Sequence, residues 1–146
     1  MTLRNPILIV EDQPILLMDL ESGLEEGGYA VLSARNAEEA MAILATDLEL
    51  ILALVTDIDL GVTGANGWDI AEKARNGKPE LPVIYMTGAS ADEWASRGVP
   101  RSILLPKPFA MAQVIRAIVQ LLDTSIEPPA PRQVSTRRRP ASDGSQ

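Results

Sequence analysis

The chain has 146 residues, 46% of them apolar, which is enough to bury the core of one ordinary domain but leaves little room for a second. It contains no cysteine and no histidine, which excludes disulfides, Cys or His metal ligands, thiol nucleophiles and Ser-His-Asp triads. The formal charge is −7 and only 3% of the residues are aromatic, which disfavours a nucleic-acid binder that relies on phosphate contacts or stacked bases. Carboxylates, hydroxyls and lysine are left to carry any chemistry.

The charge divides the chain into two parts. Residues 1–123 carry 18 acidic and 9 basic side chains, whereas residues 124–146 carry 2 acidic and 4 basic ones. The second part holds a Pro-Pro-Ala-Pro run and three consecutive arginines, a composition typical of disorder. No stretch reaches the roughly 18 to 20 apolar residues of a membrane span, and residues 1–5 lack the apolar core of a signal peptide. We therefore expect a cytoplasmic protein with one domain over 1–123 and a disordered tail over 124–146.

The predicted elements alternate between strands and helices along the first part. The strands are short, unalternated apolar runs rich in β-branched residues, as in strands buried on both faces of a parallel sheet. They cover 7–10, 51–55, 83–86 and 103–105, with a weaker strand at 29–34. Helices are predicted from residue 14 to a stop at residue 27, over 37–46, over 68–76, from residue 94 and over 110–122.

Local signals mark the helix ends. Pro14 suits a first turn, and Asn36 with Glu39 has the spacing of a capping box. Ser90 with Glu93 repeats that spacing before the fourth helix. Five strands alternating with five helices predict an α/β fold with an open five-stranded parallel sheet between two helix layers, the flavodoxin-like arrangement. In such sheets, ligands bind beyond the carboxyl ends of the strands.

Chemically active side chains follow four of the predicted strands. They are Glu11 and Asp12 after the first strand, Asp57 and Asp59 after the third, Thr87 after the fourth and Lys107 after the fifth. Gathered at one sheet edge, each close pair of carboxylates would cost about 4 kcal/mol at 4 Å and an effective dielectric near 20. A divalent cation and a lysine would offset this repulsion, and ligands that are all oxygen suit Mg²⁺. A nucleophilic carboxylate beside a metal, a lysine and a hydroxyl is a set suited to phosphoryl transfer.

Plainer interpretations exist for each residue taken alone. Asp12 or Gln13 could cap the first helix. Asp57 and Asp59 could be turn residues that lead into a glycine-rich loop, and Thr87 precedes a glycine in a fair turn signal.

The set of residues resembles the receiver domain of two-component response regulators. Glu11-Asp12, Asp57, Thr87 and the segment Leu105-Pro106-Lys107-Pro108-Phe109 carry the resemblance, which covers residues 5–122. It implies that Asp57 accepts a phosphoryl group from a phosphohistidine, with Mg²⁺ or Mn²⁺ bound by Glu11, Asp12, Asp57 and the backbone carbonyl of Asp59. It also implies that Thr87 and Lys107 contact the phosphoryl oxygens.

The resemblance implies partners as well. The phosphodonor would be a sensor histidine kinase or a histidine phosphotransfer protein, and the output would be a downstream protein, with no direct DNA binding and no membrane contact. A face made by the fourth helix, the fifth strand and the fifth helix is the expected place for that partner or for a homodimer. A chain of this length is expected to be a stand-alone receiver, not a turnover enzyme, although it could also act as a phosphate sink or a relay intermediate.

The chain departs from the family pattern at the expected switch residue. The family often has an aromatic residue three positions before the lysine, where this chain has Leu104. Tyr85, two positions before Thr87, could take over part of that role. The loop over 60–67 also lacks the proline that is common there and is slightly long.

Three other functions remain open from the sequence. Asp57-Ile58-Asp59 resembles the Asp-x-Asp pair of haloacid-dehalogenase-type phosphatases, but that motif normally ends the first strand of a longer chain. A receiver-like binding module that is never phosphorylated is a second alternative. A flavodoxin-like cofactor carrier is a third, which the low aromatic content disfavours.

Overall fold

The computed structural model of the protein describes residues 5–61, 64–89 and 91–123. Five strands form one parallel sheet in the order β2-β1-β3-β4-β5. The strands are β1 (Ile7–Val10), β2 (Val31–Ala34), β3 (Ala53–Asp57), β4 (Val83–Thr87) and β5 (Ser102–Pro106). The helices are α1 (Pro14–Glu26), α2 (Ala37–Asp47), α3 (Gly67–Gly77), α4 (Trp94–Arg97) and α5 (Met111–Leu122), with short 3₁₀ helices at Leu48–Leu50 and Ala91–Glu93. This confirms the predicted α/β fold.

Two hydrophobic cores lie on opposite faces of the sheet. Alternate residues of the central strands point to opposite faces, so that Leu8 packs with α2 and α3 while Ile9 packs with α1 and α5. Every residue of β1, β3 and β4 is buried. The unalternated apolar runs of these three strands follow from this burial on both sides. None of the helices in the described ranges is both long and apolar enough to cross a membrane.

Helix α1 begins at Pro14, as predicted, and the caps of α2 and α3 differ in part from the sequence analysis. The side chain of Asn36 accepts a hydrogen bond from the backbone N–H of Glu39 at 2.8 Å, as predicted. The Glu39 carboxylate accepts from the N–H of Arg35 and not from that of Asn36, so the reciprocal bond of the expected box is displaced by one residue. Helix α3 begins one residue earlier than predicted, because Asn66 and Asp69 form a complete capping box that the sequence analysis did not recognise.

The predicted start of the fourth helix is correct, and half of its predicted capping box lies outside the described residues. Helix α4 begins at Trp94, and its N-cap, Glu93, makes no side-chain capping hydrogen bond. Ser90, the other half of the predicted capping box, lies outside the described residues, as do Val62 and Thr63 of the loop after β3 and the predicted tail over 124–146. The helix has only four residues.

The strand bounds differ from the predicted ones at both ends of β3. The strand begins at Ala53 instead of residue 51 and continues to Asp57. Ile51 is buried outside the strand, where its N–H bonds the carbonyl of Leu48. The apolar run at 51–55 therefore marks residues that are buried or partly buried, and only Ala53 and the residues after it belong to the strand.

Candidate functional site

The carboxyl ends of four strands bring the predicted site residues to one edge of the sheet. Asp57 and Thr87 are the last residues of β3 and β4. Glu11 and Asp12 follow β1, and Lys107 follows β5. Because β1, β3, β4 and β5 are neighbours and parallel, their ends lie side by side.

Three carboxylates form a compact cluster at this edge. One oxygen each from Glu11, Asp12 and Asp57 lies within 4.8 Å of the other two. Glu11 is fully buried and Asp57 is only 4% exposed, whereas Asp12 faces solvent. The cluster therefore has two acids embedded in the protein and one at its mouth.

Lys107 supplies the positive charge of the site. Its Nζ lies 3.2 Å from Glu11 Oε1 and 3.3 Å from Asp57 Oδ2. Its backbone N–H donates to the carbonyl of Thr87 at 2.7 Å, which fixes the start of the loop after β5. The following peptide bond, Lys107-Pro108, is cis.

Burial and like charge raise the pKa values of the acids. Desolvation, followed by the negative charge of Glu11, raises the pKa of Asp57 to about 6, although Lys107 opposes this. Desolvation also raises the pKa of Glu11, against the hydrogen bond from the Gln13 N–H and the charge of Lys107. Burial alone would lower the pKa of Lys107, but the two carboxylates beside it raise it. The site as it stands holds more negative charge than one lysine neutralises.

The plainer interpretation, in which Asp12 or Gln13 caps α1, is correct only in that Gln13 occupies the N-cap position. The N-cap of α1 is Gln13, which makes no side-chain capping hydrogen bond, so Asp12 is not a helix cap. The Glu11 carboxylate instead turns inward, with Oε1 at Lys107 and Oε2 accepting from the backbone N–H of Gln13 at 3.0 Å. Glu11 is thereby held as a fixed part of the cluster.

The other two predicted site residues occupy different positions at the same edge. Thr87 is 1% exposed, and its Oγ1 accepts a hydrogen bond from the N–H of Ala89 at 3.1 Å. Asp59 lies two residues beyond Asp57 with its side chain exposed. Its backbone follows Ile58, whose N–H is bonded to the carbonyl of Met86 at 3.0 Å.

Tyr85 and Leu104 are paired neighbours on β4 and β5. Tyr85 is fully buried, and its hydroxyl accepts a hydrogen bond from the backbone N–H of Val99 at 3.1 Å. Its ring lies 4.7 Å from that of Trp68, at an interplanar angle of 55°. Leu104 is half-buried against the same core. The aromatic group on this face of the sheet is therefore carried by β4 and not by β5.

The sequence analysis missed the glycine that shapes the backbone at Asp57. A Cβ at Gly67 would overlap the carbonyl oxygen of Asp57 and the Cα of Ile58. The N–H of Gly67 donates to the carbonyl of Ile58 at 2.9 Å, and Thr56 Oγ1 donates to the carbonyl of Asp57 at 2.9 Å. The capping pair around Asn66 was the signal that could have placed this glycine at the start of α3.

A cavity of about 640 Å³ adjoins the site and was also missed. Its walls come from the first turns of α1 and the loop after β5, and they include Ile15, Leu16, Lys107, Pro108 and Phe109. Ile15 is 76% exposed beside it. Lys107 thus borders both the acidic cluster and an open apolar cavity.

The acidic cluster suits a hard divalent cation. Carboxylate oxygens grouped within 4.8 Å, in a chain without cysteine or histidine, are the donors that Mg²⁺ and Mn²⁺ prefer. Burial, followed by the negative charge of Glu11, raises the pKa of Asp57, and a cation bound beside it would favour its ionised form.

Known proteins resemble this chain in sequence and in structure. The family model described as response regulator receiver domain matches residues 7–119. A response regulator receiver protein from Sinorhizobium medicae WSM419 is 41% identical, with a TM-score of 0.78 over 82% of this chain and 95% of that one. A CheY-like receiver domain protein from Methanospirillum hungatei JF-1 is 27% identical, with a TM-score of 0.72 over 84% and 96% of the two chains.

A curated relative shares the same region. Response regulator SaeR of Staphylococcus aureus (strain USA300) is 25% identical over 118 residues, which cover 80% of this chain and 50% of SaeR. The chain thus spans about half the length of the curated relatives that it matches. Since the family model covers most of the described residues, the chain belongs to the response regulator receiver domain family of two-component systems.

Proposed function

We propose that this receiver domain is switched by phosphorylation of Asp57. The observation that carries the proposal is the buried carboxylate of Asp57, 3.3 Å from Lys107 Nζ and grouped with the oxygens of Glu11 and Asp12. An anionic nucleophile held beside a cation and a metal-binding set is the arrangement that phosphoryl transfer requires.

The reaction transfers one phosphoryl group from a phosphohistidine to the chain. An Asp57 carboxylate oxygen attacks phosphorus, the nitrogen–phosphorus bond of the donor breaks, and the released imidazole nitrogen takes up a proton. The product is an acyl phosphate on Asp57. Hydrolysis by water returns the carboxylate and inorganic phosphate, so that the domain is a switch and not an enzyme with an external substrate.

Different residues of the site would neutralise or bind the phosphoryl oxygens. Glu11, Asp12, Asp57 and the backbone carbonyl of Asp59 would hold Mg²⁺, which neutralises negative charge on the phosphoryl oxygens when bound. Lys107 Nζ, now shared between two carboxylates, pairs with a phosphoryl oxygen. The Thr87 hydroxyl turns from the Ala89 N–H to another phosphoryl oxygen and thereby changes the loop after β4.

The phosphodonor protein docks over the cavity between α1 and the loop after β5. This position follows from Lys107, which lines both the cavity and the acidic cluster. Ile15 and Met18 are exposed on α1 by 76% and 62%, and apolar side chains at such exposure suit a helical partner surface. The partner is a histidine kinase or a histidine phosphotransfer protein.

Intact-mass measurement tests the acceptor. The full chain is incubated with acetyl phosphate and Mg²⁺, and we expect the mass gain of one phosphoryl group. Asp57→Asn should abolish this gain, and the control Asp19→Asn, an exposed acid of α1 outside the carboxylate cluster, should retain it. A gain in Asp57→Asn equal to that of the wild type would remove Asp57 as the acceptor. Turnover of p-nitrophenyl phosphate without stoichiometric labelling would favour the Asp-x-Asp phosphatase instead.

The docking surface has its own test. Ile15→Glu should slow labelling by a phosphorylated histidine kinase that labels the wild type, while labelling by acetyl phosphate stays unchanged. Leu50→Glu is the matched control, because Leu50 is 52% exposed and lies before the amino end of β3, away from the site. Equal slowing by both variants would show a charge effect and not a docking surface.

A further inference from the structure

Thr56 is a buried polar residue that the proposed phosphoryl transfer does not use. Among the described residues, the buried polar or charged ones are Glu11, Thr56, Asp57 and Thr87. Three of these four belong to the functional site, whereas Thr56 comes immediately before Asp57 on β3 and is fully buried. Because a buried hydroxyl needs a hydrogen-bonding partner, the partner of Thr56 indicates what this side chain does.

The hydroxyl of Thr56 binds the backbone of the proposed phosphoacceptor. Thr56 Oγ1 donates to the carbonyl of Asp57 at 2.9 Å. The pairing of β3 with β1 ends at Thr56 and Val10, so the Asp57 carbonyl lies beyond the last pair of these two strands. The threonine hydroxyl therefore gives this carbonyl a partner at the point where the strand pairing has ended.

Helix α3 and strand β4 hold the same stretch of backbone from other sides. A Cβ at Gly67 would overlap the carbonyl oxygen of Asp57, so the helix end lies directly against it. The N–H of Ile58 donates to the carbonyl of Met86 at 3.0 Å, and the carbonyl of Ile58 accepts from the N–H of Gly67 at 2.9 Å. Three successive polar groups of the backbone, from the Asp57 carbonyl to the Ile58 carbonyl, thus each have a partner.

This stretch of backbone leads to the carbonyl of Asp59, the backbone ligand proposed for Mg²⁺. Each peptide unit is planar, so the orientation of one unit limits where the next carbonyl can lie. The Asp57 carboxylate has an additional contact with Lys107 Nζ at 3.3 Å. A change in the Asp57–Ile58 peptide should therefore disturb the metal site more than it disturbs the nucleophile.

We propose that Thr56 is a positioning residue for the metal site, because its hydroxyl holds the Asp57–Ile58 peptide and thereby keeps the Asp59 carbonyl in place as a ligand. This inference rests on the proposed function, which supplies the ion and its ligands. Removing a hydrogen-bonding partner from behind a metal ligand typically costs about 10- to 100-fold in metal affinity. Since Thr56 acts on the backbone that leads to the ligand, we expect the lower end of that range.

Calorimetric titration of the full chain with Mg²⁺, without any phosphodonor, tests the proposal. Thr56→Val replaces the hydroxyl by a methyl group of similar size and should raise the dissociation constant for Mg²⁺ about 10-fold. Thr56→Ser keeps the hydroxyl and should bind Mg²⁺ nearly as tightly as the wild type does.

Ser102→Ala is the matched control for the loss of a hydroxyl. Ser102 Oγ also donates to a backbone carbonyl, that of Val99 at 2.6 Å, but Ser102 is the first residue of β5 and lies at the opposite edge of the sheet from the carboxylate cluster. This variant should leave the affinity for Mg²⁺ unchanged. Weakening equal to that of Thr56→Val would overturn the proposal, because a general loss of stability would then explain both results.

The rate of labelling by acetyl phosphate, measured against the concentration of Mg²⁺, separates positioning of the ion from damage to the nucleophile. Thr56→Val should need about 10 times more Mg²⁺ for half-maximal labelling and should approach the wild-type rate when Mg²⁺ is saturating. A lower maximal rate with an unchanged requirement for Mg²⁺ would overturn the proposal, because the hydroxyl would then act on Asp57 and not on the ion.

The outcomes distinguish this inference from the proposed function. Equal affinity for Mg²⁺ in the wild type and in Thr56→Val overturns the role of Thr56 and leaves phosphorylation of Asp57 standing. Equal weakening by Thr56→Ser and Thr56→Val also overturns it, since the hydroxyl is then not the cause. Weaker binding by Thr56→Val alone, in a chain that gains no phosphoryl mass, supports the role of Thr56 and removes the proposed function.

Discussion

The burial of Asp57 and its repulsion by Glu11 lower the stability of the unphosphorylated protein. Its side chain is 4% exposed and shares Lys107 with Glu11, so that one cation faces two buried carboxylates. The net effect is a pKa raised from 3.8 to about 6. A group with a raised pKa in the folded state binds its proton more tightly there, so ionisation at neutral pH weakens the fold.

Asp57→Asn should therefore stabilise the metal-free protein. At pH 7 we expect the free energy of unfolding to rise by on the order of 2 to 3 kcal/mol, the amount that corresponds to the raised pKa. The gain should shrink as the pH falls from about 6 to 4, because the wild type then protonates Asp57 and recovers the same stability. Urea unfolding in the presence of a chelator measures the free energy of unfolding at each pH. The exposed Asp19→Asn, outside the carboxylate cluster, serves as control. A destabilised Asp57→Asn would show that the ion pair with Lys107 outweighs the repulsion.

Tyr85 links stability to alkaline pH. Burial raises the pKa of Tyr85 from 10.0 to about 12. The stability that the neutral side chain gives to the folded state is therefore complete below pH 10, and it is lost as the pH rises through 12. Tyr85→Phe leaves the N–H of Val99 without its partner and should cost about 1 to 3 kcal/mol at pH 8. The difference in stability between Tyr85→Phe and the wild type should become smaller between pH 10 and 12, because only the wild type loses the contribution of Tyr85. Thermal unfolding at several pH values measures this. The control Tyr29→Phe should lose as much stability at alkaline pH as the wild type does. If Tyr85→Phe loses the same amount as these two proteins, the alkaline loss of stability does not come from Tyr85.

At the scale of single elements, the close approach of α3 to β3 sets the backbone geometry at the acceptor. The first residue of α3 lies against the carbonyl of Asp57, and the capping pair of Asn66 and Asp69 fixes where the helix begins. The position of the Asp57 carboxylate therefore depends on a helix end as well as on its own strand.

Gly67→Ala should disturb both stability and labelling. Its Cβ would meet backbone atoms, which cannot move aside as a side chain can, and overpacking of this kind costs about 1 to 3 kcal/mol. We expect lower resistance to urea and slower labelling by acetyl phosphate. Gly77→Ala, at the other end of α3, is the control, because its Cβ would meet only the flexible end of Leu48 within the described contacts. If both alanine variants label at the wild-type rate, the contact at Gly67 has no part in positioning Asp57.

The elements also show where sequence reasoning succeeded and where it stopped. Strands β1 and β4 were predicted within one residue, since burial on both faces leaves a plain run of apolar residues. The predicted start of β3 was wrong by two residues. Ile51 is apolar because its side chain packs in the core, but its N–H donates to the Leu48 carbonyl and the residue is not part of the strand. The length of α4 has no local signal, as its contacts with Ser102 and Asp69 come from elsewhere in the fold.

At the scale of the whole molecule, a metal ion bound at the strand ends should stabilise the entire fold against unfolding. Ligands that bind only the folded state stabilise it by mass action, by about 2.7 kcal/mol at 100 times the dissociation constant. Mg²⁺ should therefore raise the melting temperature of the wild type and leave Asp12→Asn and Asp57→Asn nearly unchanged. Asp19→Asn is the control, because Asp19 is an exposed acid of α1 outside the carboxylate cluster. A rise of equal size in all four proteins would indicate general ionic screening and no site at the sheet edge.

The sequence by itself determined the layered α/β fold and the positions of the acids, threonine and lysine at strand ends, because apolar periodicity and residue order are local properties. Only the tertiary structure decided that Lys107 lies between Glu11 and Asp57, since the contact with Glu11 joins residues 96 positions apart. The raised pKa of Asp57, the cavity beside α1 and the hydrogen bond from Trp94 of α4 to Ser102 of β5 likewise depend on distances between elements. Packing sets those distances, and the order of residues along one strand or helix does not specify them.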